Sequence, residues 1–394
     1  MKAISLRKGK DKAVRQRHPW VFSGAVNDIK DRPENGEIVR VLDEKGVFLA
    51  YGTFNAQSRV AVRLLEWDES QIIDGAWWTK KITQAVQARQ PILHGENNTC
   101  RLIFSEADFL PGLIVDQYAG YLSVQILTAG IERAKEQILD ILEELVKPEG
   151  IFERSDAGAR SHEGLAPSSG LLRGKTPPEF VDVIENGVHY QVNISEGQKS
   201  GFYCDQRDNR FHTAKYAKDK RVLDCFCYSG GFTLNALRAG AASVTSVDSS
   251  ALALETLKRN MEANRFHPEK SDVIQNDVNR QLRAFREEGR SFDLIVLDPP
   301  KYAPSRSALD KAARAYKDLN RQAMLLLSPG GLLATFSCSG AVDIATLKQI
   351  LAWAALDAGR EVQFIEQLGQ PADHPVRSSF PEGEYLKGLI CLVR

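Results

Sequence analysis

Apolar and polar positions change their spacing twice along the chain. Up to about residue 72, short apolar runs are cut by glycine and polar residues, as in EIVRVLD (37–43), GVFLAYGTF (46–54) and RVAVRLLEW (59–67). Such runs predict the strands of a small β-rich module over 1–72. Between 73 and 195 helix and strand patterns mix. WWTKKITQAVQARQPIL has helical spacing, and GLIVDQYAGYLSVQIL predicts a hairpin. ERAKEQILDILEELV sets Ile138, Ile141, Leu142 and Leu145 on one helical face. The turn-rich stretch SSGLLRGKTPPEF (168–180) is expected to be a loop or a boundary.

Over 196–394 strands and helices alternate. RVLDCF (221–226), SVTSVD (243–248), SDVIQND (271–277), FDLIVLD (292–298) and GLLATFS (331–337) predict strands. The segment ALALETLKRNMEAN (251–264) predicts a helix with Leu254, Leu257 and Met261 on its inner side. Apolar strands separated by helices predict a parallel sheet covered on both faces. The last two runs, EVQFIEQL and EYLKGLICLVR, are joined by GQPADHPVRSSFPEG without an obvious helix, which permits an antiparallel pair at the sheet edge. The expected fold class is therefore multidomain α/β: a β-rich module, a middle α+β domain and a Rossmann-like domain.

Composition changes this picture little. The 394 residues carry zero net charge, so attraction to nucleic acid must come from local patches. One such patch is Lys2, Arg7, Lys8, Lys10, Lys12, Arg15, Arg17 and Lys30 at the N-terminus, facing only Asp11 and Asp28. The six cysteines show neither disulfide nor zinc spacing, which suits a reducing compartment and predicts no metal. No apolar run approaches the roughly 20 residues that span a bilayer, so a cytoplasmic protein without membrane contact is expected. The sequence leaves room for a homodimer.

Ligands of open α/β sheets bind beyond the carboxyl ends of the strands. DCFCYSGG follows the first strand of the third domain, and Asp224, Tyr228 and Gly230 in it are candidate cofactor contacts. Asp248 is placed for ribose hydroxyls and Asp277 for an adenine amino group, although each acidic residue alone also suits a helix cap. Phe226 and Tyr228 stand where a dinucleotide fingerprint has glycine, which favours S-adenosylmethionine over a pyrophosphate cofactor. LDPPK ends the fourth strand, so Asp298, Pro299, Pro300 and Lys301 are candidate substrate contacts. Cys338 ends the fifth strand in TFSCSG. A thiolate there can add to carbon 6 of a pyrimidine and make carbon 5 nucleophilic, although an ordinary thiol is only about 3% ionised at neutral pH. Cys225, Cys227 and Cys391 fit inert core positions.

The motifs FCYSGGF, LDPPK, TFSCSG, SGFYCDQRDNR (200–210), RHPWVFSGAV (17–26) and ADHPV (372–376) together resemble the bacterial 23S rRNA cytosine-5 methyltransferase family RlmI over essentially the whole chain. The resemblance implies an RNA-binding PUA domain, a middle domain and a Rossmann-like methyltransferase domain. It implies Cys338 as nucleophile, Asp298 as a base-contacting residue, and Gly230, Asp248 and Asp277 as cofactor contacts. Tyr203, Asp205, Gln206 and Arg207 would then pack near the methionine end of S-adenosylmethionine. The partner would be 23S rRNA or a large-subunit assembly intermediate, with Arg15 and Arg17 on phosphates. Trp20 and Phe22 are expected in the core. The D-P-P-K motif lacks the second cysteine of many RNA cytosine-5 enzymes, so the base that takes the carbon-5 proton stays open among Asp298, Glu382 and His374. A purine-nitrogen or uracil-5 methyltransferase, and a non-catalytic RNA-binding or assembly protein, remain open alternatives.

Overall fold

The computed structural model describes residues 1–95, 97–156, 158–197, 201–303 and 308–394. Ser200 of the SGFYCDQRDNR motif lies outside them. The chain divides into two compact units that are not contiguous in sequence: 1–183, 192–204 and 372–383 form the first, and 184–191, 205–371 and 384–394 the second.

Among the described residues the first unit holds two sheets. Trp20–Phe22, Val60–Glu66, Phe48–Phe54, Ile38–Leu42, Ala3–Leu6 and Val26–Ile29 form one, in that spatial order. Its strands alternate, so Ile4, Leu6, Val39, Val41, Val62 and Leu64 point to one core. The second sheet runs Ser168–Gly174, Gly150–Ser155, Tyr121–Ile126, Leu113–Tyr118 and Thr99–Phe104. The hairpin expected from GLIVDQYAGYLSVQIL is its antiparallel pair Leu113–Tyr118 and Tyr121–Ile126. Helices Gly75–Gln87 and Lys135–Val146 bury Trp77, Trp78 and Ile82, and Ile138, Ile141 and Leu142, against that sheet. Within 168–180, expected as a loop or a boundary, Ser168–Gly174 is instead a strand paired antiparallel to Gly150–Ser155. Cross-strand backbone bonding supplies what the serines and glycines lack in propensity.

The segment 372–383 is built into the first unit. Asp373 Oδ2 accepts from Arg101 N at 3.0 Å, and Arg89 Nη2 donates to Asp373 O at 3.2 Å. Phe380 packs edge-on against Trp20 with centroids 4.8 Å apart. Trp20 is half-buried and donates to Glu106. Phe22, expected in the core, is 51% exposed. It ends a three-residue strand at the sheet edge, where its side chain has no opposing layer.

The second unit has the Rossmann-like order expected. Its strands are β1 (Arg221–Cys225), β2 (Ser243–Asp248), β3 (Ser271–Gln275), β4 (Phe292–Leu297), β5 (Leu327–Ser337), β6 (Val362–Leu368) and β7 (Lys387–Val393). They lie in the order β3-β2-β1-β4-β5-β7-β6. β1 to β5 are parallel, and β7 runs antiparallel between β5 and β6. Its helices are α1 (Arg207–Ala214), α2 (Gly231–Arg238), α3 (Ala251–Ala263), α4 (Val278–Glu287), α5 (Leu309–Leu326) and α6 (Ile344–Ala358). The periodic face of α3 buries Leu254, Leu257 and Met261 as its spacing predicts, each burial contributing roughly 1.5–3 kcal/mol. Strand order reverses between β1 and β4, which makes their carboxyl ends the topological switch point. No helix among the described residues is long and apolar enough to cross a membrane.

Candidate active site

The loop after β1 is shaped by backbone conformations that side chains seldom adopt. Phe226, Tyr228 and Gly230 have φ of 61°, 49° and 88°. Gly230 caps α2, and a Cβ added there would stand 2.1 Å from Leu257 Cδ1. The glycine is thus demanded by a left-handed turn and by close packing of α3, a firmer reason than ligand approach alone. Gly230→Ala is expected to lower stability by about 2–4 kcal/mol through overpacking and left-handed strain. Thermal melting against wild type checks this.

Two of the strand-end carboxylates are fixed by backbone and side-chain donors. Asp248 Oδ2 accepts from Tyr228 N at 3.0 Å and its Oδ1 from Ser250 N at 2.9 Å, so both oxygens are oriented while keeping further lone pairs. Asp224 is 1% exposed. Its Oδ2 accepts from Thr233 N at 2.9 Å and Thr233 Oγ1 at 2.6 Å, while its Oδ1 has no hydrogen-bond partner. Burial pushes the Asp224 carboxyl up to about 7 against the pull of the Thr233 bonds, and the charges of Asp298 and Asp248 push the same way. Three carboxylates therefore converge where β1, β2 and β4 end. That surplus of negative charge, with an orphaned buried oxygen inside it, fits a ligand carrying positive charge. S-adenosylmethionine carries both an ammonium and a sulfonium, so these residues fit it.

Asp277 is exposed and caps α4, its Oδ1 accepting from Arg280 N at 2.9 Å. It stands just beyond the carboxyl end of β3, with helix capping as its visible task. Asp205, Gln206 and Arg207 are buried in the second unit, whereas Tyr203 belongs to the first. Asp205 Oδ2 accepts from the Tyr385 hydroxyl at 2.6 Å, and Gln206 Oε1 accepts from Asn209 at 2.6 Å. Arg207 lies 3.7 Å from Glu185, whose carboxylate is gripped by both Nε and Nη2 of Arg210.

β4 and β5 are neighbours, so Asp298 and Cys338 leave adjacent strand tips. Both are half-buried, Pro299 is buried, and Pro300 and Lys301 are exposed. The serines flanking Cys338 are held in a hydroxyl network. Ser337 Oγ donates to the Tyr316 hydroxyl at 3.0 Å, and that hydroxyl lies 3.2 Å from Ser339 Oγ, which accepts from Ala303 N at 3.1 Å. Ser337 and Ser339 are fully buried, and Cys338 between them, just past the end of β5, is half-buried. Sequence reasoning missed Tyr316. It also missed Lys387, which pairs with Ser337 across β5 and β7 and is 4% exposed. The signal available was a lysine heading the apolar run KGLICLV. The cysteines expected to be inert are so by burial, which pushes the Cys225 and Cys227 thiols well up and Cys391 up to about 12.

In the first unit, Arg15 is held by Asp11 at 2.5 Å and Asp43 at 2.9 Å. Arg17 is exposed, with its guanidinium 5.4 Å from the Trp67 ring centroid. His374 is 1% exposed, with Nδ1 3.0 Å from Asp373 and its ring against Phe104. Glu382 lies 3.4 Å from His18.

Comparison with known proteins agrees with this geometry. A family model for a PUA-like domain matches residues 4–67, and one for an S-adenosylmethionine-dependent methyltransferase matches 163–389. Ribosomal RNA large subunit methyltransferase I of Photobacterium profundum is 45% identical over 395 residues, covering 100% of this chain and 99% of the relative. The protein of the same name from Aliivibrio fischeri is 46% identical over 392 residues, 99% of each chain. SMU.776, described as a methyltransferase and solved in complex with SAH, has a TM-score of 0.86 over 100% of both chains at 20% identity, which shows a shared fold. The chain belongs to the ribosomal RNA large subunit methyltransferase I family of S-adenosylmethionine-dependent methyltransferases.

Proposed function

We propose that this protein methylates carbon 5 of a cytosine in 23S rRNA through a covalent bond to Cys338. The observation that carries the reading is the placement of that thiol. It is half-buried at the tip of β5, beside the strand that ends in Asp298, and the buried Ser337–Tyr316–Ser339 hydroxyl network braces it on both sides. The names of the full-length relatives supply ribosomal RNA of the large subunit as the substrate class.

The Cys338 thiol gives its proton to water, and the sulfur bonds to carbon 6 of the ring. Electron density moves to carbon 5. S-adenosylmethionine, when bound, supplies an electrophilic methyl group to that carbon. Asp298 holds the base and is the candidate acceptor of the carbon-5 proton within the unit that carries Cys338. His374 and Glu382 are engaged by Asp373 and His18 in the first unit. Loss of that proton restores the ring double bond and expels the thiolate. Asp224, Asp248, Gly230, Tyr228 and Asp277 bind the cofactor in this reading, with Tyr203, Asp205, Gln206 and Arg207 toward its methionine end and Pro299, Pro300 and Lys301 on the substrate.

Residues 1–72 act as the RNA-binding module, 73–195 as the middle domain and 196–394 as the catalytic domain, in the cytoplasm where ribosomes assemble. Arg17→Ala is expected to weaken RNA binding several-fold and reduce the salt dependence by about one phosphate contact. Arg15→Ala should change it less, because Asp11 and Asp43 already neutralise that side chain. Filter binding over a salt series checks both. The function itself is tested by methylating rRNA from a strain lacking the protein and identifying the product by nucleoside mass spectrometry. 5-Methylcytidine in 23S rRNA supports the reading, and a methylated purine or 5-methyluridine overturns it.

A further inference from the structure

Lys387 is a buried lysine whose ammonium is held by backbone carbonyls. Its Nζ donates to Ser339 O at 2.8 Å and to Tyr385 O at 2.8 Å, and it takes part in no salt bridge among the described residues. Two carbonyl dipoles solvate such a charge only partly, so a lysine held this way normally has an anion nearby or loses its proton. Ser339 is the residue directly after Cys338, so the ammonium is anchored on the backbone next to the residue that carries the thiol. Ser337 is the residue paired with Lys387 across β5 and β7, so those two side chains leave the same face of the sheet.

We propose that Lys387 is a positioning residue whose buried positive charge holds the Cys338 sulfur as a thiolate. The thiol proton leaves to solvent and Lys387 keeps its own, so no proton passes between them. Asp343 at the start of α6, Glu384 ahead of β7 and Lys301 act electrostatically on Lys387, and Tyr316 on α5 interacts with both Cys338 and Asp298. Glu384 and Asp343 favour the charged form of Lys387, while Lys301 disfavours it. Burial lowers the affinity of Lys387 for its proton, and the interaction with Cys338 is the strongest of those that restore it. The restoring force on the lysine and the acidifying force on the thiol are one interaction seen from its two ends.

The inference rests on Cys338 being the nucleophile, but its deciding test does not use methyl transfer. Iodoacetamide labelling of the full-length protein, followed peptide by peptide with mass spectrometry, gives the midpoint of Cys338 reactivity between about pH 5 and 10. Wild type is expected to react with a midpoint at least about one unit below the ordinary thiol value of about 8.5. Lys387→Gln, which keeps a donor for the carbonyls and loses the charge, should raise that midpoint by about one to two units. Lys387→Arg should hold it near wild type. In methylation assays Lys387→Gln should lower kcat about 10- to 100-fold at neutral pH, recover as pH rises, and leave KM for RNA unchanged. A wild-type midpoint at or above about 8.5, or Gln and Arg variants titrating alike, overturns the inference. The wild-type measurement decides even if Lys387→Gln does not fold. An acidic, Lys387-dependent thiol in a protein that never bonds to cytosine would keep this inference and sink the proposed function. An ordinary thiol that still bonds to cytosine would do the reverse.

Discussion

Cys338→Ala is expected to abolish methyl transfer, by on the order of 10⁴-fold or more, while leaving fold and cofactor binding intact. The loss should be this large because carbon 5 of cytosine is a poor nucleophile until a group adds at carbon 6, and no remaining side chain at the β5 tip supplies one. Ser337 and Ser339 do not substitute, being fully buried in the Tyr316 network. The fold should survive because Cys338 is half-buried at a strand end, whereas Cys225 and Cys391 are fully buried in the central core. Methylation assays, thermal melting and cofactor titration on one preparation check the three parts together. Residual activity of a tenth or more would show that Cys338 is a bystander, as a purine-nitrogen enzyme requires.

Asp224→Asn should have two large effects of opposite sign. In the folded protein the carboxyl holds its proton up to about pH 7, against about 3.9 in an unfolded chain. A raised acid of this kind contributes stability that is complete below about pH 4 and is lost as pH rises through about 7, a swing of about 4 kcal/mol. The neutral asparagine avoids that loss, so the variant without ligand should be the more stable protein at pH 8 and no more stable at pH 4. Cofactor binding should move the other way. A cationic ligand favours the ionised carboxylate, so wild-type affinity rises with pH through about 7, and the variant should bind about 10- to 100-fold more weakly and without that slope. Melting curves and calorimetric titrations at several pH values check both signs. Parallel pH profiles for the two proteins would remove Asp224 from the cofactor site.

The sequence made the second unit legible because buried parallel strands write themselves as unbroken apolar runs. Residues 221–225, 243–248 and 292–297 lie where the pattern put them, and their carboxyl ends were therefore identifiable as Asp224, Asp248 and Asp298. What stayed hidden depended on neighbours distant in sequence. Nothing in SSGLLRG announces a strand, since its pairing with Gly150–Ser155 supplies the order. The stretch 372–383 looks like a linker, yet Asp373, Phe380 and Arg377 are anchored among Arg101, Trp20 and Phe109 of the first unit. Lysine at a strand start is ordinarily an exposed edge residue, so only the β5–β7 register reveals Lys387 as buried, paired with Ser337 and bonded to the Ser339 carbonyl. Gly230 was visible as a turn, but the Leu257 methyl that a Cβ there would crowd was not.

The most direct test is the mass of the protein after incubation with S-adenosylmethionine and a 23S rRNA fragment containing 5-fluorocytosine. Fluorine cannot leave as a proton does, so the bond to sulfur should persist. The account predicts a stable species with the combined mass of protein, RNA and one methyl group, cross-linked through the peptide containing Cys338 and missing in Cys338→Ala. Methylated RNA with no such species, or the same species formed by Cys338→Ala, would contradict it.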